Sequence, residues 1–286
     1  MLAQFITWDL DPEIFRIGAF SLRYYGLLFA LGFMLGYKVE EYIFKAEGRN
    51  MVWLDKLLMY VAIATIVGAR LGHCIFYDWE YFQDHLLEMV LPFSFEPTIK
   101  FTGFQGLASH GAAIGIILGV WFYSKRITKK SIFWTLDRVV IPVALAGAMI
   151  RLGNFMNSEI IGLPTDMPWG MQFLRAHIEN PEIPRHPTQL YESFSYFISF
   201  GILMYIYWKT NLAKQQGFIF GAFLVLIFGF RFFVEYAKEI QSAWEADMFI
   251  NMGQILSLPF VAVGIFMMWF SKKLPDTEKL KNSNKK

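Results

Sequence analysis

The residues best suited to chemistry lie between Arg151 and Gly170, where several polar side chains end an apolar run. The stretch begins Arg-Leu-Gly-Asn-Phe-Met-Asn-Ser-Glu-Ile-Ile-Gly and continues into a loop rich in Pro and Gly. An ionised side chain at the centre of a bilayer costs at least ~2.5 kcal/mol, so such groups normally face a partner or a water-filled cavity. The arginine, the asparagines and the glutamate of this stretch therefore predict a binding or catalytic site.

Membrane helices are the elements that must position these residues. Of the 286 residues, 55% are apolar and only 17% are charged, whereas a soluble domain carries about 25% charged residues. A helix that spans a bilayer needs about 20 mostly apolar residues. Seven segments qualify: 19–38, 56–76, 107–124, 138–157, 188–208, 217–236 and 250–271. The sequence therefore predicts an all-α polytopic membrane protein with seven transmembrane helices.

The distribution of Lys and Arg predicts the orientation of these helices. Both residue types are concentrated in alternate connecting stretches, namely 38–56, 125–130, 209–216 and the C-terminal tail. Because cytoplasmic loops carry such an excess, the N-terminus is predicted outside, in the periplasm, and the C-terminus in the cytoplasm. The long external segments 77–106 and 158–187 are dense in Pro, aromatic and acidic residues, which predicts a small folded cap. Residues 1–271 then form a single transmembrane domain, and residues 272–286 form a basic cytoplasmic tail.

In this orientation, all seven predicted spans place polar side chains near the outer leaflet, while their inner halves are almost entirely apolar. The polar residues are Arg23, Tyr24, Tyr25, Arg70, His73, Ser109, His110, Arg151, Asn154, Asn157, Thr188, Gln189, Tyr191, Glu192, Arg231, Glu235, Asn251 and Gln254. A pathway for a proton or an ion needs polar groups through the whole membrane thickness. The pattern therefore favours a pocket that opens at the outer leaflet.

The charges in this layer predict the kind of molecule that binds there. Four arginines, Arg23, Arg70, Arg151 and Arg231, outnumber the acids at the same depth. A lipid phosphate fits, because a guanidinium group binds phosphate through two parallel, charge-assisted hydrogen bonds. His110 stands at a helix entry in the same layer, and imidazole is the natural proton acceptor near neutral pH.

The overall composition argues against other partners. A net charge of only +2 argues against nucleic acid as a partner. The single cysteine, Cys74, excludes an internal disulfide framework and a cysteine-based metal cluster. No metal ion or other cofactor is predicted.

Several of these side chains also have a structural interpretation. Arg231 and Glu235, four residues apart on one helix face, either neutralise each other or serve the substrate. Arg70 either has a structural role, by pairing with Glu235 or by hydrogen-bonding helix ends, or contacts the substrate. Arg23 lies close enough to the surface to reach water. Asn154 either satisfies a nearby backbone group or belongs to the site. Small residues at four-residue spacing predict close helix packing; they are Gly32, Gly36, Gly111, Gly115 and Gly119.

The run from Arg151 to Gly162 closely resembles the signature of bacterial prolipoprotein diacylglyceryl transferases, Gly-Arg-x-Gly-Asn-Phe-x-Asn-x-Glu-x-x-Gly. Ile150 departs from it where the signature usually has Gly, and Ala112 departs where His-Gly-Gly is common. Further matches follow in family order and cover most of the chain: Arg23-Tyr-Tyr-Gly26, Gly68-Ala-Arg-Leu-Gly72, Ser109-His-Gly111, Arg185-His-Pro-Thr-Gln-Leu-Tyr-Glu192 and Phe230-Arg-Phe-Phe-Val-Glu235.

This resemblance implies an enzyme of the bacterial inner membrane with seven spans. Its donor is phosphatidylglycerol, and its acceptor is the lipobox cysteine in the signal peptide of a preprolipoprotein. The reaction forms a thioether and releases glycerol 1-phosphate. With the family in view, the predicted catalytic residues are His110, Arg151 and Arg231, and the predicted phosphatidylglycerol-binding residues are Tyr25, Arg70, Arg151, Asn154, Asn157, Glu159, Gly162, Arg231 and Glu235.

A lipid flippase and a non-catalytic scaffold that presents phosphatidylglycerol are the competing hypotheses. A flippase also needs a site for an anionic head group, but its polar residues should continue to the inner leaflet. A scaffold has no use for a site that accepts a thiol, so a transfer assay with a lipobox peptide distinguishes it from an enzyme.

Overall fold

The computed structural model describes residues 5–18, 20–95, 98–101, 106–239 and 250–274. Within these residues the α-helices are α1 Tyr24–Ala46, α2 Met51–Phe76, α3 Trp79–Phe82, α4 Leu86–Val90, α5 Ser109–Tyr123, α6 Ile132–Met156, α7 Thr188–Lys209, α8 Phe218–Val234 and α9 Met252–Phe270. The strands are β1 Ile6–Trp8, β2 Glu13–Ile17, β3 Phe20–Arg23, β4 Phe93–Ser94, β5 Lys100–Phe101 and β6 Met171–Phe173. The prediction of a mostly helical protein is confirmed.

Four helical stretches within the described residues are long and apolar enough to cross a membrane. They are Met51–Phe76, Ile132–Met156, Phe218–Ala237 and Met252–Lys273. The three other predicted spans also correspond to helices, namely α1, α5 and α7. A membrane protein is thus supported, whereas the count of seven spans and their orientation stay predictions.

The first predicted span, 19–38, has the wrong boundaries. Residues Phe20–Arg23 form strand β3, which pairs antiparallel with β2, so Arg23 lies in a hairpin and not in a membrane helix. Helix α1 continues to Ala46, and α2 begins at Met51 after the N-cap Asn50, whose side chain accepts the backbone N–H of Val52 at 2.9 Å. The predicted link 38–56 therefore shortens to residues 47–50.

The chain divides into two compact units, the first formed by Met1–Glu40 and Leu136–Lys286 and the second by Glu41–Thr135. In the first unit, the predicted close packing of Gly32 is confirmed, because a Cβ atom there would lie 3.1 Å from the Cβ of Met149. Helix α7 packs on α6, where the Ser193 hydroxyl donates to the carbonyl of Ala148 at 2.9 Å.

In the second unit, α2 and α5 pack along a seam of glycines. A Cβ atom on Gly68 would lie 2.5 Å from the carbonyl oxygen of Gly111 and 2.9 Å from the Cα of Gly115. The two backbones approach so closely only because glycine has no Cβ atom. This confirms the packing role predicted for this spacing. In the last turn of α2, Cys74 packs with Phe82 of α3 and Met89 of α4 in a small apolar core.

The segment 158–187 is tied to the N-terminus by a two-stranded parallel sheet. Ile6, Thr7 and Trp8 of β1 pair with the three residues of β6. Met171 and Phe173 of β6 pack with Phe155 and Ile161 in an apolar cluster. The single domain with a cap over 77–106 and 158–187 stays a prediction. Residues 96, 97 and 102–105 of that cap, and 275–286 of the predicted tail, lie outside the described residues.

Candidate active site

The predicted signature stretch begins in the last turns of α6 and closes on its own carboxylate. The side-chain amides of Asn154 and Asn157 donate to the two oxygens of Glu159, at 3.2 and 2.9 Å. Ser158 and Ile160 both adopt left-handed backbone conformations, with φ angles of 53° and 56°. That conformation is a genuine outlier for a β-branched residue such as Ile160, and it persists only where the surroundings enforce it.

The first turn of α7 supplies that enforcement. The side-chain amide of Gln189 donates to the carbonyl of Glu159 at 2.5 Å, and the Thr188 hydroxyl donates to the carbonyl of Ile160 at 2.9 Å. Both α7 residues are fully buried. The Thr-Gln pair of the sequence motif therefore holds the signature loop in its strained conformation.

Gly162 lies where the signature loop meets two other segments. Its N–H donates to the carbonyl of His186 at 2.9 Å, and the neighbouring Leu163 N–H donates to the carbonyl of Ala237 at 2.8 Å. A Cβ atom on Gly162 would lie 2.7 Å from that His186 oxygen. This close approach explains why the position holds glycine.

Five charged side chains of the first unit form a continuous network next to this loop. Arg151 of α6 and Glu192 of α7 form an ion pair, with 3.0 Å between Nε and Oε2. The ammonium group of Lys238 lies 2.9 Å from Glu192 Oε1 and 2.8 Å from Glu235 Oε1. Arg231 of α8 completes the chain, with its Nε 3.4 Å from Glu235 Oε1. The network therefore has a guanidinium group at each end.

Burial in the network decreases towards Arg231. The Glu192 side chain is 0% exposed and that of Lys238 is 4% exposed, whereas Arg151 is 15% and Arg231 is 34% exposed. The contact of Arg151 with Glu192 is an ion pair by distance, but Glu192 Oε2 has no aligned hydrogen-bond donor among the described residues. Tyr196 lies beside both arginines. The guanidinium groups are thus held in place while Arg231 remains accessible.

Most of the predicted site residues of the first unit lie in or beside this network. Arg151, Arg231 and Glu235 belong to it directly. Asn154 is one turn beyond Arg151 on α6. The Tyr25 ring packs on Gly153 of the same helix, where a Cβ atom would lie 2.8 Å from the ring carbon Cδ2.

Arg70 belongs to the second unit, where it supports the segment that follows α2. Its Nη2 donates to the carbonyl of Glu88 at 2.7 Å and its Nε donates to that of Met89 at 3.3 Å. The guanidinium carbon lies 4.7 Å from the centre of the Phe82 ring. These contacts agree with a structural role for Arg70, which holds the chain around α3 and α4. Contact of Arg70 with the substrate stays a prediction.

His110 also belongs to the second unit and lies exposed in the first turn of α5. Together with His73, Tyr77, Leu107 and Ala108 it lines a cavity of about 320 Å³. Nε2 of His73 lies 2.8 Å from Asp78 Oδ2. The role of His110 as a proton acceptor stays a prediction.

Glu192 and Lys238 are the residues that the sequence prediction missed. Glu192 belongs to the predicted polar layer but has no predicted role, and Lys238 follows the sixth predicted span, outside that layer. One local signal was available, since Lys238 stands three residues after Glu235. Its second partner, Glu192, is 46 positions away.

Trp169, Tyr191 and His186 are linked by hydrogen bonds beside the network. The Trp169 indole donates to the Tyr191 hydroxyl oxygen at 2.8 Å, and that hydroxyl lies 3.0 Å from His186 Nδ1. Burial lowers the pKa of His186 below its usual value.

Among the described residues, no group of three or more His, Cys, Asp and Glu side chains is arranged to hold a metal ion.

Comparison with known proteins relates this site to a family. The family profile described as "Prolipoprotein diacylglyceryl transferase" matches residues 12–270. The chain is 43% identical over 290 residues to the phosphatidylglycerol–prolipoprotein diacylglyceryl transferase of Porphyromonas gingivalis, covering 98% of this chain and 99% of that protein. It is 45% identical over 268 residues to the protein of the same name from Tolumonas auensis, covering 94% and 98%. The Chlamydia pneumoniae protein of that name is 31% identical, covering 92% and 94%.

Proposed function

We propose that this chain, which belongs to the prolipoprotein diacylglyceryl transferase family, transfers the diacylglyceryl group of phosphatidylglycerol to the thiol of a lipobox cysteine in a preprolipoprotein. The chain is a transferase of lipoprotein biosynthesis. Its products are a thioether-linked lipoprotein precursor and glycerol 1-phosphate, and this transfer is the first step of bacterial lipoprotein maturation.

The observation that best supports this function at the level of the site is the network ending in Arg151 and Arg231. The contacts of both arginines with carboxylates use Nε, on the inner edge of the guanidinium group. A phosphate engages guanidinium groups through pairs of parallel N–H···O bonds. The two side chains are suited to hold one lipid phosphate between them.

The reaction itself is a displacement at carbon. The acceptor thiol, with an ordinary pKa of about 8.5, first loses its proton to a base, for which His110 is the proposed group. The thiolate attacks the glycerol carbon that carries the phosphate ester, so that a C–S bond forms and the C–O bond breaks. The electron pair of that bond stays on the departing glycerol phosphate. Arg151 and Arg231 stabilise the negative charge that grows on the phosphate.

The remaining site residues have proposed roles in substrate binding. Tyr25, Asn154, Asn157 and Gly162 position the head group and the signature loop. Glu159, Glu235 and Arg70 complete the proposed binding set. The amide contacts of Glu159 support a rigid loop, because both of its carboxylate oxygens accept from asparagines.

The proposed location is the bacterial inner membrane, with seven spans, an external N-terminus and a cytoplasmic C-terminus. The apolar composition of the four long helices supports membrane insertion. The alternation of Lys and Arg between connecting stretches supports the orientation. In this arrangement residues 1–271 form one transmembrane domain, 77–106 and 158–187 cap it on the periplasmic side, and 272–286 form the cytoplasmic tail.

The test is a transfer assay with phosphatidylglycerol labelled in its diacylglyceryl part and a peptide containing a lipobox. The wild-type chain should label the peptide, and Arg151→Ala should abolish labelling while phosphatidylglycerol still mixes into the same micelles. A peptide whose cysteine is replaced by serine should remain unlabelled. A purified, folded wild-type chain that binds phosphatidylglycerol without labelling the peptide would establish a scaffold instead.

A further inference from the structure

The charges of the five-residue network do not cancel. Arg151, Arg231 and Lys238 supply three positive charges, and Glu192 and Glu235 supply two negative charges, so the sum is 3 − 2 = +1. An uncompensated charge in a buried setting is costly unless an opposite charge joins it. The network is therefore one anion short of neutrality, and a phosphodiester carries one negative charge.

Lys238 is the residue that creates this excess. Its ammonium group contacts Oε1 of both glutamates, at 2.9 and 2.8 Å, and its side chain is only 4% exposed. Without Lys238, the two positive charges of Arg151 and Arg231 would balance the two negative charges of Glu192 and Glu235. With it, both carboxylates are shared between an arginine and the ammonium group, which leaves the arginines less completely paired.

The backbone holds Lys238 in place independently of these charges. Lys238 pairs with Gly162 in an isolated antiparallel bridge, and its N–H donates to the carbonyl of Glu235 at 3.3 Å. Its neighbour Ala237 accepts the N–H of Leu163 at 2.8 Å. The ammonium group is thus fixed to the same loop that carries the signature residues.

We propose that Lys238 is a positioning residue that gives the five-residue network its single excess positive charge and thereby selects a monoanionic phosphodiester head group over a head group without net charge. The identity of the selected lipid as phosphatidylglycerol rests on the proposed function. Lys238 acts through Glu192 and Glu235, by sharing the carboxylates that would otherwise neutralise Arg151 and Arg231.

The first test compares Lys238→Met, which keeps the length of the side chain and removes its charge, with Lys238→Arg, which keeps the charge. In mixed micelles, Lys238→Met should raise the KM for phosphatidylglycerol by about tenfold or more, with a smaller effect on kcat. Lys238→Arg should restore the KM to within about threefold of wild type. Lys45→Met is the matched control, because Lys45 is an exposed lysine that pairs with Glu41 at 2.7 Å. A Lys238→Met enzyme with an unchanged KM, or a Lys238→Arg enzyme as impaired as Lys238→Met, would overturn the proposal.

The second test separates the charge from the fold. The double variant Lys238→Met/Glu192→Gln leaves Arg151 and Arg231 against Glu235, a sum of 2 − 1 = +1. If the charge matters, the double variant should bind phosphatidylglycerol about tenfold more tightly than Lys238→Met alone, a non-additive effect expected of coupled residues. If Lys238→Met alone does not fold, the double variant should still fold and bind phosphatidylglycerol. A double variant that binds no better than the single one would show a merely structural role and refute the proposal.

Equilibrium binding without the acceptor peptide distinguishes this proposal from the proposed function. Dioleoyl phosphatidylglycerol and dioleoyl phosphatidylethanolamine are titrated separately into each purified full-length variant in detergent. Wild type should prefer phosphatidylglycerol, and Lys238→Met should lose that preference. Loss of the preference in a chain that shows no transfer would sustain the role of Lys238 and reject the transferase. If Lys238→Met transfers diacylglyceryl groups and still prefers phosphatidylglycerol, the transferase function is sustained and the role of Lys238 is rejected.

Discussion

Arg231 lies at the accessible end of the network, and the variant Arg231→Lys tests whether its charge or the shape of its guanidinium group is required. In the structure, Arg231 Nε lies 3.4 Å from Glu235 Oε1, four residues away on the same helix, and the side chain is one-third exposed. A lysine at this position keeps the charge and can keep the pair with Glu235. It loses the planar fork of donors that matches a phosphate.

These contacts set the expected magnitudes. A partly exposed pair between residues i and i+4 contributes only about 0.3–0.5 kcal/mol, so the folded state should be almost unaffected. A donor aimed at charge that develops in the transition state is worth ~2.7–4 kcal/mol, which corresponds to about 10²–10³ in rate. We therefore expect Arg231→Lys to reduce kcat by about 100-fold with little change in thermal stability.

The assay is transfer of labelled diacylglyceryl groups to a lipobox peptide, together with thermal unfolding of each variant in detergent. Arg16→Lys is the control, because Arg16 is an exposed arginine whose partner, Glu13, lies three residues away in the hairpin of β2 and β3. It should retain nearly full activity. If Arg231→Lys transfers within about threefold of wild type while Arg231→Ala is inactive, charge alone suffices and forked recognition of the phosphate by Arg231 is refuted.

Three further predictions concern packing and pH. Gly68→Ala should force α2 and α5 apart at their seam and lower the free energy of unfolding by about 1–3 kcal/mol. The control Gly201→Ala, with nothing within 4 Å of the added carbon, should not destabilise the protein. Equal unfolding temperatures for the two variants would contradict close packing of α2 on α5. Gly162→Ala should displace the signature loop from His186 and abolish transfer, and a fully active variant would show that the loop tolerates the extra carbon. Because burial lowers the pKa of His186 below 6.5, the unfolded state binds its proton first and stability should fall as pH decreases through that value. The unfolding temperature of His186→Gln, measured from pH 8 to pH 5, should fall less than that of wild type, and parallel curves would exclude His186 as the cause.

Local patterns in the sequence predicted much of the fold. A four-residue spacing of glycines predicted the close packing of α5, because small residues on one helix face have few other uses in lipid. The dense run beginning at Arg151 predicted the site, since polar groups at the end of an apolar helix require partners. The structure supplies them: two asparagines for Glu159, and Glu192 for Arg151.

The features that escaped prediction depend on residues far apart in the chain. Strand β1 is only three residues long and acquires its identity by pairing with β6. Lys238 lies just beyond α8, three residues after Glu235, but its second partner, Glu192 of α7, is 46 positions away in the chain. The first span was started too early because the apolar residues of β3 extend the hydropathy signal of α1 without belonging to that helix. Hydropathy reports how apolar a segment is, and it does not report which backbone groups it pairs with.

The pairing of β1 with β6 has a consequence for how the protein is assembled. Thr7 donates to Gln172 across a separation of 165 positions, and Arg175 pairs with Asp9 and Asp11 across a similar distance. Ile6–Trp8 precede every helix described here, yet their partner strand follows α6 in the chain and is synthesised only after that helix. Until then the N-terminal strand is an open edge, able to pair with any other extended chain nearby. Closure of this sheet therefore follows the synthesis of α6, and deletion of Ile6–Trp8 should impair maturation of the nascent enzyme more than it impairs the chemistry of the finished one.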